Sequence, residues 1–191
     1  MISLPEVDFV FVRQKDCKDK DCRFETVNSL DLWGKGRHVI FALPGAFTPT
    51  CTQFQLPSYE ASYDSLIGQG KCDSVSCISV NDGFVMNAWK QELGIEKVQL
   101  VPDGNGMFTG LMNMLVTKNN LGFGLRSWRY AAVIEDGVVL KIFEEPGKID
   151  DCEDDPYEQS YPENVLMYLD ELNNAALQAW MSIRWGVLDS P

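Results

Sequence analysis

Apolar positions along this chain fall into short β-branched or aromatic runs that alternate with stretches of helical spacing. Residues 7–12 (VDFVFV) and 22–27 (CRFETV) alternate or run apolar, and the charged segment QKDCKDKD between them predicts a turn, so the chain opens with a β-hairpin. Residues 28–33 suit one helical turn, ended by Gly34 and Gly36. HVIFAL (His38–Leu43) reads as a strand that Pro44 and Gly45 must stop. A helix then starts with Thr48 as N-cap and Pro49 at the first helical position, where a missing N–H costs nothing. Its side chains Phe54, Tyr59, Tyr63, Leu66 and Ile67 share one side, and Pro57 should kink it.

SVSCISV (74–80) is a further strand, and Asn81-Asp82-Gly83 supplies a turn and cap for a helix from Phe84 to Leu93 that Gly94 ends. VQLVP (98–102) predicts a short strand, 108–115 a short helix, and NNLGFGLRS (119–127) an irregular stretch that could wall an active site. WRYAAVIE (128–135) and VVLKIF (138–143), joined by Asp136-Gly137, form a second hairpin. After an acidic loop, Ser160 and Glu163 make a capping box for a last helix whose stripe is Val165, Leu169, Leu172, Ala176 and Trp180. Alternating strands and helices with a late hairpin, no repeat and no linker describe one α/β domain built on a mixed sheet. Residues 171–191 would be its C-terminal helical extension.

Composition narrows the class without changing the architecture. At 191 residues, 45% hydrophobic, the chain can bury a core, and no apolar stretch approaches the roughly 20 residues of a membrane span. With 16 basic against 28 acidic residues the net charge is -12, which repels nucleic acid and anionic membranes. The start, MISLPEVDFV, has neither a basic n-region nor an Arg-rich transit pattern, so a cytoplasmic location is expected. Six cysteines without a CxxC spacing argue for reduced thiols and against a disulfide reductase, and a single histidine argues against zinc. Neither a metal nor a cofactor is expected.

The chemistry concentrates at PGAFTPTCT (44–52), where Cys51 falls in the first turn of a helix. There, unsatisfied backbone N–H groups and the positive end of the helix dipole favour the thiolate, which is the nucleophilic form. Arg129, at the start of a largely apolar strand, must be solvated or held against an anion, and a thiolate is such an anion. Arg126 is the alternative anion partner. Cys77 falls in a strand pattern that suits packing, whereas Cys17 and Cys22 fall in or beside the charged turn.

Four motifs in order carry a resemblance: PGAFTPTCT, CISVNDGFVMNAWK (77–90), PDGNGMFTG (102–110) and LGFGLRSWRYAAVIEDGVV (121–139). Together they resemble peroxiredoxins of the type II, or atypical two-cysteine, subfamily, and most closely the peroxidase part of hybrid peroxiredoxin-glutaredoxin proteins, over roughly residues 3–170. The resemblance implies a thioredoxin-like fold, a central mixed β-sheet flanked by helices. It also implies reduction of hydrogen peroxide and alkyl hydroperoxides, a homodimer, and recycling by glutathione and glutaredoxin or by thioredoxin. It places the peroxide site on Pro44, Thr48, Cys51 and Arg129, with Cys51 becoming a sulfenic acid. Two departures from the family pattern stand out. Gln55 occupies a place where many relatives carry histidine, and Cys152 lies in the post-hairpin loop where some relatives carry a resolving cysteine, within an acidic neighbourhood that slows thiolate attack.

Two other functions compete with a peroxidase. A cysteine hydrolase would need a histidine base, and His38 precedes the strand, poorly placed for that task. A peroxide-responsive redox sensor or holdase would use the same Cys51 with little turnover.

Overall fold

The computed structural model describes residues 2–13 and 23–185, so the turn expected around Cys17 and Cys22 lies outside the described residues, as does the chain beyond 185. Strand β1 (Ile2–Ser3) is followed by the hairpin β2 (Asp8–Arg13) and β3 (Arg23–Asn28), which pair antiparallel as a separate two-stranded sheet. Next come α1 (Ser29–Trp33), β4 (Arg37–Leu43), a π-helical turn (Cys51–Gln55) that runs into α2 (Leu56–Ile67), and β5 (Ser74–Ser79). The chain continues through α3 (Gly83–Glu92), β6 (Gln99–Pro102), α4 (Met107–Leu111), β7 (Leu115–Thr117), β8 (Leu125–Ser127), β9 (Tyr130–Glu135), β10 (Val138–Glu144) and α5 (Pro162–Trp185).

The central sheet has the order β1-β10-β9-β4-β5-β6. Strands β4, β5 and β6 run parallel, while β9 pairs antiparallel with β4, β10 with β9, and β1 with β10, as the mixed-sheet reading requires. Strand alternation divides the core in two. Ile40, Ala42, Ile78, Ala132 and Ile134 pack with Phe9, Trp33, Phe108 and Trp128 on one face. Val39, Phe41, Leu43, Cys77 and Val133 pack on the other with side chains of α2, α3 and α5, among them Tyr59, whose ring stacks on Phe41 at 3.9 Å between centroids.

Several expected boundaries move, each for a local reason. The helix expected over 108–115 ends at Leu111; Asn113 takes a left-handed φ of 59°, and Leu115–Thr117 become β7. The tail of NNLGFGLRS is not irregular: Leu125–Ser127 form β8, antiparallel to β7. Strand β9 begins at Tyr130, leaving Trp128 and Arg129 in the link from β8. Ser160 does not cap α5, because its N–H and hydroxyl both go to the Glu145 carboxylate. The helix starts at Pro162, and the Tyr161 carbonyl accepts from Asn164 and Val165. Only the first half of the α5 stripe is used: Val165 and Leu169 are fully buried, whereas Trp180 is 50% exposed.

Candidate active site

The parallel strand β4 delivers the chain to Pro44 and Gly45, both buried, and a tight turn through Phe47, at a φ of 64°, reverses it into the helix. Helical structure starts at Pro49, and the Thr48 carbonyl accepts the Thr52 N–H at 3.0 Å, so Thr48 stands at the N-cap position. Its hydroxyl, however, donates to the Gly45 carbonyl at 2.8 Å. The Asn81 side chain fixes the same turn from β5, accepting the Ala46 N–H at 3.0 Å and the Ser79 hydroxyl at 2.6 Å.

Cys51 then opens a π-helical turn, in which Leu56 N–H reaches back five residues to the Cys51 carbonyl. The expected break at Pro57 therefore lies before the proline. A ring at position 57 removes one helical N–H and crowds the carbonyl of residue 53, and a π-turn takes up the mismatch by widening the preceding turn. Cys51 is fully buried on the sheet face that also holds Phe41 and Cys77.

Arg129, 1% exposed, meets Cys51 there from the β8–β9 link. Its Nη1 donates to Cys51 Sγ at 3.5 Å and also to Gln55 Oε1, and its Nη2 pairs with Asp155. The Nε–H is buried without a partner. Burial disfavours the guanidinium charge, but the Cys51 sulfur and the Asp155 carboxylate outweigh it, and the net effect raises the arginine above its ordinary value. The Tyr157 ring lies 5.6 Å from the guanidinium, and its hydroxyl sits 2.8 Å from Ser58 Oγ, which donates to the Gln55 carbonyl at 2.8 Å. The acidic loop thus packs against the first turns of α2. Its anchor is Glu145, 1% exposed, whose carboxylate receives the N–H groups of Glu158, Gln159 and Ser160.

Pro44, Thr48, Cys51 and Arg129 are thus brought to one corner of the molecule. Cys152 is not: it is buried in the core cluster on the opposite face of the sheet from Cys51, and Lys118 Nζ donates to its carbonyl at 2.8 Å. Arg126 is not at the sulfur either; it donates to the Val80 and Phe123 carbonyls, both at 3.1 Å. Cys77 is fully buried, and burial together with the neighbouring Cys51 holds its thiol well above the ordinary range, which keeps it protonated. Burial likewise pushes Cys72 up to about 12. His38 hydrogen-bonds Ser74 and the Lys35 carbonyl and has no contact with Cys51. Sequence reasoning anticipated Cys51 beside Arg129 but missed its other two partners, Gln55 and Asp155. Gln55 stood out only as a departure from a pattern, and Asp155 is one of several acids in a loop that carries no local signature.

The described residues contain no group of three or more metal-ligating side chains and no helix long and apolar enough to cross a membrane. The family model described as Redoxin matches residues 12–160. Among curated relatives, Peroxiredoxin y4vD of Sinorhizobium fredii is 54% identical over 155 residues, covering 81% of this chain and 82% of that protein. Hybrid peroxiredoxin hyPrx5 of Haemophilus influenzae is 42% identical over 166 residues, covering 87% of this chain and 64% of its own. Among solved structures, the Plasmodium falciparum antioxidant protein, a 1-Cys peroxiredoxin, superposes with a TM-score of 0.83 at 33% identity, over 89% of this chain and 98% of that one. Reduced Prx3 of Vibrio vulnificus, solved in complex with hydrogen peroxide, gives 0.76 at 32% identity, over 88% and 96%.

Proposed function

This chain belongs to the peroxiredoxin family of thiol-dependent peroxidases, and from that premise we propose that Cys51 is its peroxidatic nucleophile, served by Arg129, Thr48 and Pro44. The observation that carries the assignment is the 3.5 Å contact between Arg129 Nη1 and Cys51 Sγ in a site closed to water. A buried cation next to the sulfur favours the thiolate, and the same guanidinium stabilises negative charge as it moves onto peroxide oxygen. The thiolate attacks one oxygen of ROOH; the O–O bond breaks, Cys51 becomes a sulfenic acid and an alkoxide leaves to be protonated. The unpartnered Arg129 Nε–H is a donor available to those oxygens. Because the Thr48 proton is committed to the Gly45 carbonyl, its lone pairs can accept the peroxide O–H. Pro44 closes the pocket behind them.

Recycling is proposed to come from an external thiol, glutathione with glutaredoxin, rather than from Cys152. The sheet separates Cys152 from Cys51, and both are fixed in packed clusters. A small thiol RSH gives the Cys51–SR disulfide and water, and a second thiol releases Cys51. Thioredoxin is the second reading, and it would require the Cys152 loop to unpack. The described cysteines Cys51, Cys72, Cys77 and Cys152 are all unpaired, which suits a reducing, cytoplasmic setting. We also propose a homodimer. The exposed apolar residues Phe47, Phe84 and Met107 follow the carboxyl ends of the parallel strands β4, β5 and β6, and so gather at one end of the sheet.

Replacing Cys51 by Ser tests the assignment: peroxide consumption with glutathione and glutaredoxin should vanish, and substantial turnover by this variant would refute it.

A further inference from the structure

Arg129 keeps a full charge where water does not reach it, so it needs an anion in every state through which the site passes. Cys51 supplies one only while its sulfur is a thiolate. Once that sulfur has taken up an oxygen as a sulfenic acid, or joined a second sulfur in a disulfide, its negative charge has left with the departing group. Gln55 accepts from the same Nη1 but is neutral. The Tyr157 ring, 5.6 Å from the guanidinium, carries a phenol that burial holds well above its ordinary value, so it is neutral too. What remains is the Asp155 carboxylate on Nη2. Its side chain is 46% exposed, so water solvates the carboxylate while the arginine that it faces is sealed. The segment that presents it is braced on both sides. Before it, Lys118 Nζ donates to the Cys152 carbonyl at 2.8 Å, and the Asp151 carboxylate accepts the Asn120 N–H at 3.2 Å. After it, the Tyr157 hydroxyl meets Ser58 Oγ at 2.8 Å, and Glu145 takes the N–H groups of Glu158, Gln159 and Ser160.

We propose that Asp155 is the standing counter-ion of Arg129, a positioning residue that holds the guanidinium in the site while the Cys51 sulfur is uncharged and that favours oxidation of Cys51 by opposing its thiolate. The inference deepens the peroxidase reading and rests on Cys51 reacting as a thiolate. Two consequences share one cause. In the reduced site two anions divide one cation, so the thiolate is stabilised less than Arg129 alone would stabilise it. In the oxidised site Asp155 alone compensates the buried charge, and its removal there leaves that charge unpaired. Asp155 therefore weights the equilibrium toward the oxidised sulfur, and it keeps the Arg129 fork oriented for the thiolate of the next cycle.

The equilibrium is read on the full chain with 2-mercaptoethanol and its disulfide, a redox pair that brings no charge of its own into the mixed disulfide. The Cys51 thiolate attacks one sulfur of the small disulfide, the S–S bond breaks, and the thiolate of 2-mercaptoethanol leaves as Cys51 is oxidised to the mixed disulfide. Mass spectrometry with peptide mapping measures that disulfide at Cys51 across a series of thiol-to-disulfide ratios and gives the equilibrium constant. Asp155→Asn should move it about tenfold toward free Cys51, and Asp155→Glu should restore most of the difference. Thermal unfolding supplies a check that loosened packing alone would not satisfy. Asp155→Asn should lower the melting temperature roughly 3 °C further in Cys51→Ser, where the sulfur charge is absent, than in the reduced protein. A purely structural role would give equal losses in the two backgrounds. An equilibrium constant within about twofold of wild type, a shift toward the mixed disulfide, or equal thermal losses would overturn the assignment of Asp155. Failure of the underlying reading is distinct: Cys51→Ser would then still consume peroxide, whatever Asp155 does.

Discussion

At the scale of single residues, the site depends on one arginine having little freedom. Cys51, Gln55 and Asp155 each take an Arg129 donor, so the guanidinium plane is set before any substrate arrives. Lysine could supply the charge but not the fork. Arg129→Lys is therefore expected to lower the second-order rate constant with hydrogen peroxide by roughly 10²–10³-fold, the cost of losing an oriented donor to developing charge. Stopped-flow fluorescence would show it, and a loss below threefold would contradict the arrangement. The position of Cys51 in the first helical turns and the approach of Arg129 to it were legible in the sequence, because strand, turn and proline mark the helix start and because an arginine beside apolar strand residues needs an anion. Asp155 was not: a carboxylate in a run of carboxylates reveals its partner only once the chain has folded back over Tyr157 and Ser58.

Among the elements, the helix that carries Cys51 departs from regular α-helical geometry at its start. The π-helical turn Cys51–Gln55 interrupts the α-helical bonding pattern immediately before Pro57. Amide hydrogen exchange should accordingly run faster in 51–56 than in the regular α-helical stretch 59–66; equal protection would contradict this. Further along α2, Glu60 fastens the approach to β6 by accepting the N–H groups of Glu96, Lys97 and Val98. Burial alone would raise its carboxyl, but those three donors and Lys97 outweigh it, and the net shift is downward. A depressed folded value means the charged form stabilises the fold above the unfolded value of about 4.3, and that this contribution is lost as the pH falls through the folded value. Glu60→Gln should thus lower the melting temperature at pH 7, and the gap to wild type should narrow toward pH 3; a constant gap would refute the linkage. Element types were readable from periodicity, but ends were not where a tertiary bond decided them. Glu145 captures the Ser160 N–H and hydroxyl, and so moves the start of α5 to Pro162.

For the whole molecule, the sheet acts as a partition. It carries Cys51 on one face and Cys152 on the other, which is why recycling is proposed to come from a thiol outside the chain. Sequence distance gave no hint of this, since Cys152 follows Arg129 by one hairpin and a loop, and only its packing in the folded chain shows which face it joins. The end of the sheet that carries Phe47, Phe84 and Met107 is assigned to a second copy of the chain. Phe84→Glu places a charge in that apolar patch and should weaken the dimer at least about tenfold in sedimentation equilibrium, whereas an unchanged dissociation constant would move the interface elsewhere. The account as a whole is tested most directly by mass spectrometry of the protein after one equivalent of hydrogen peroxide, in wild type and in Cys152→Ser. Cys51 should gain a single oxygen in both, trapped as a sulfenic acid adduct and convertible to a glutathione disulfide. A Cys51–Cys152 disulfide in the wild type, or oxidation that spares Cys51, would contradict it.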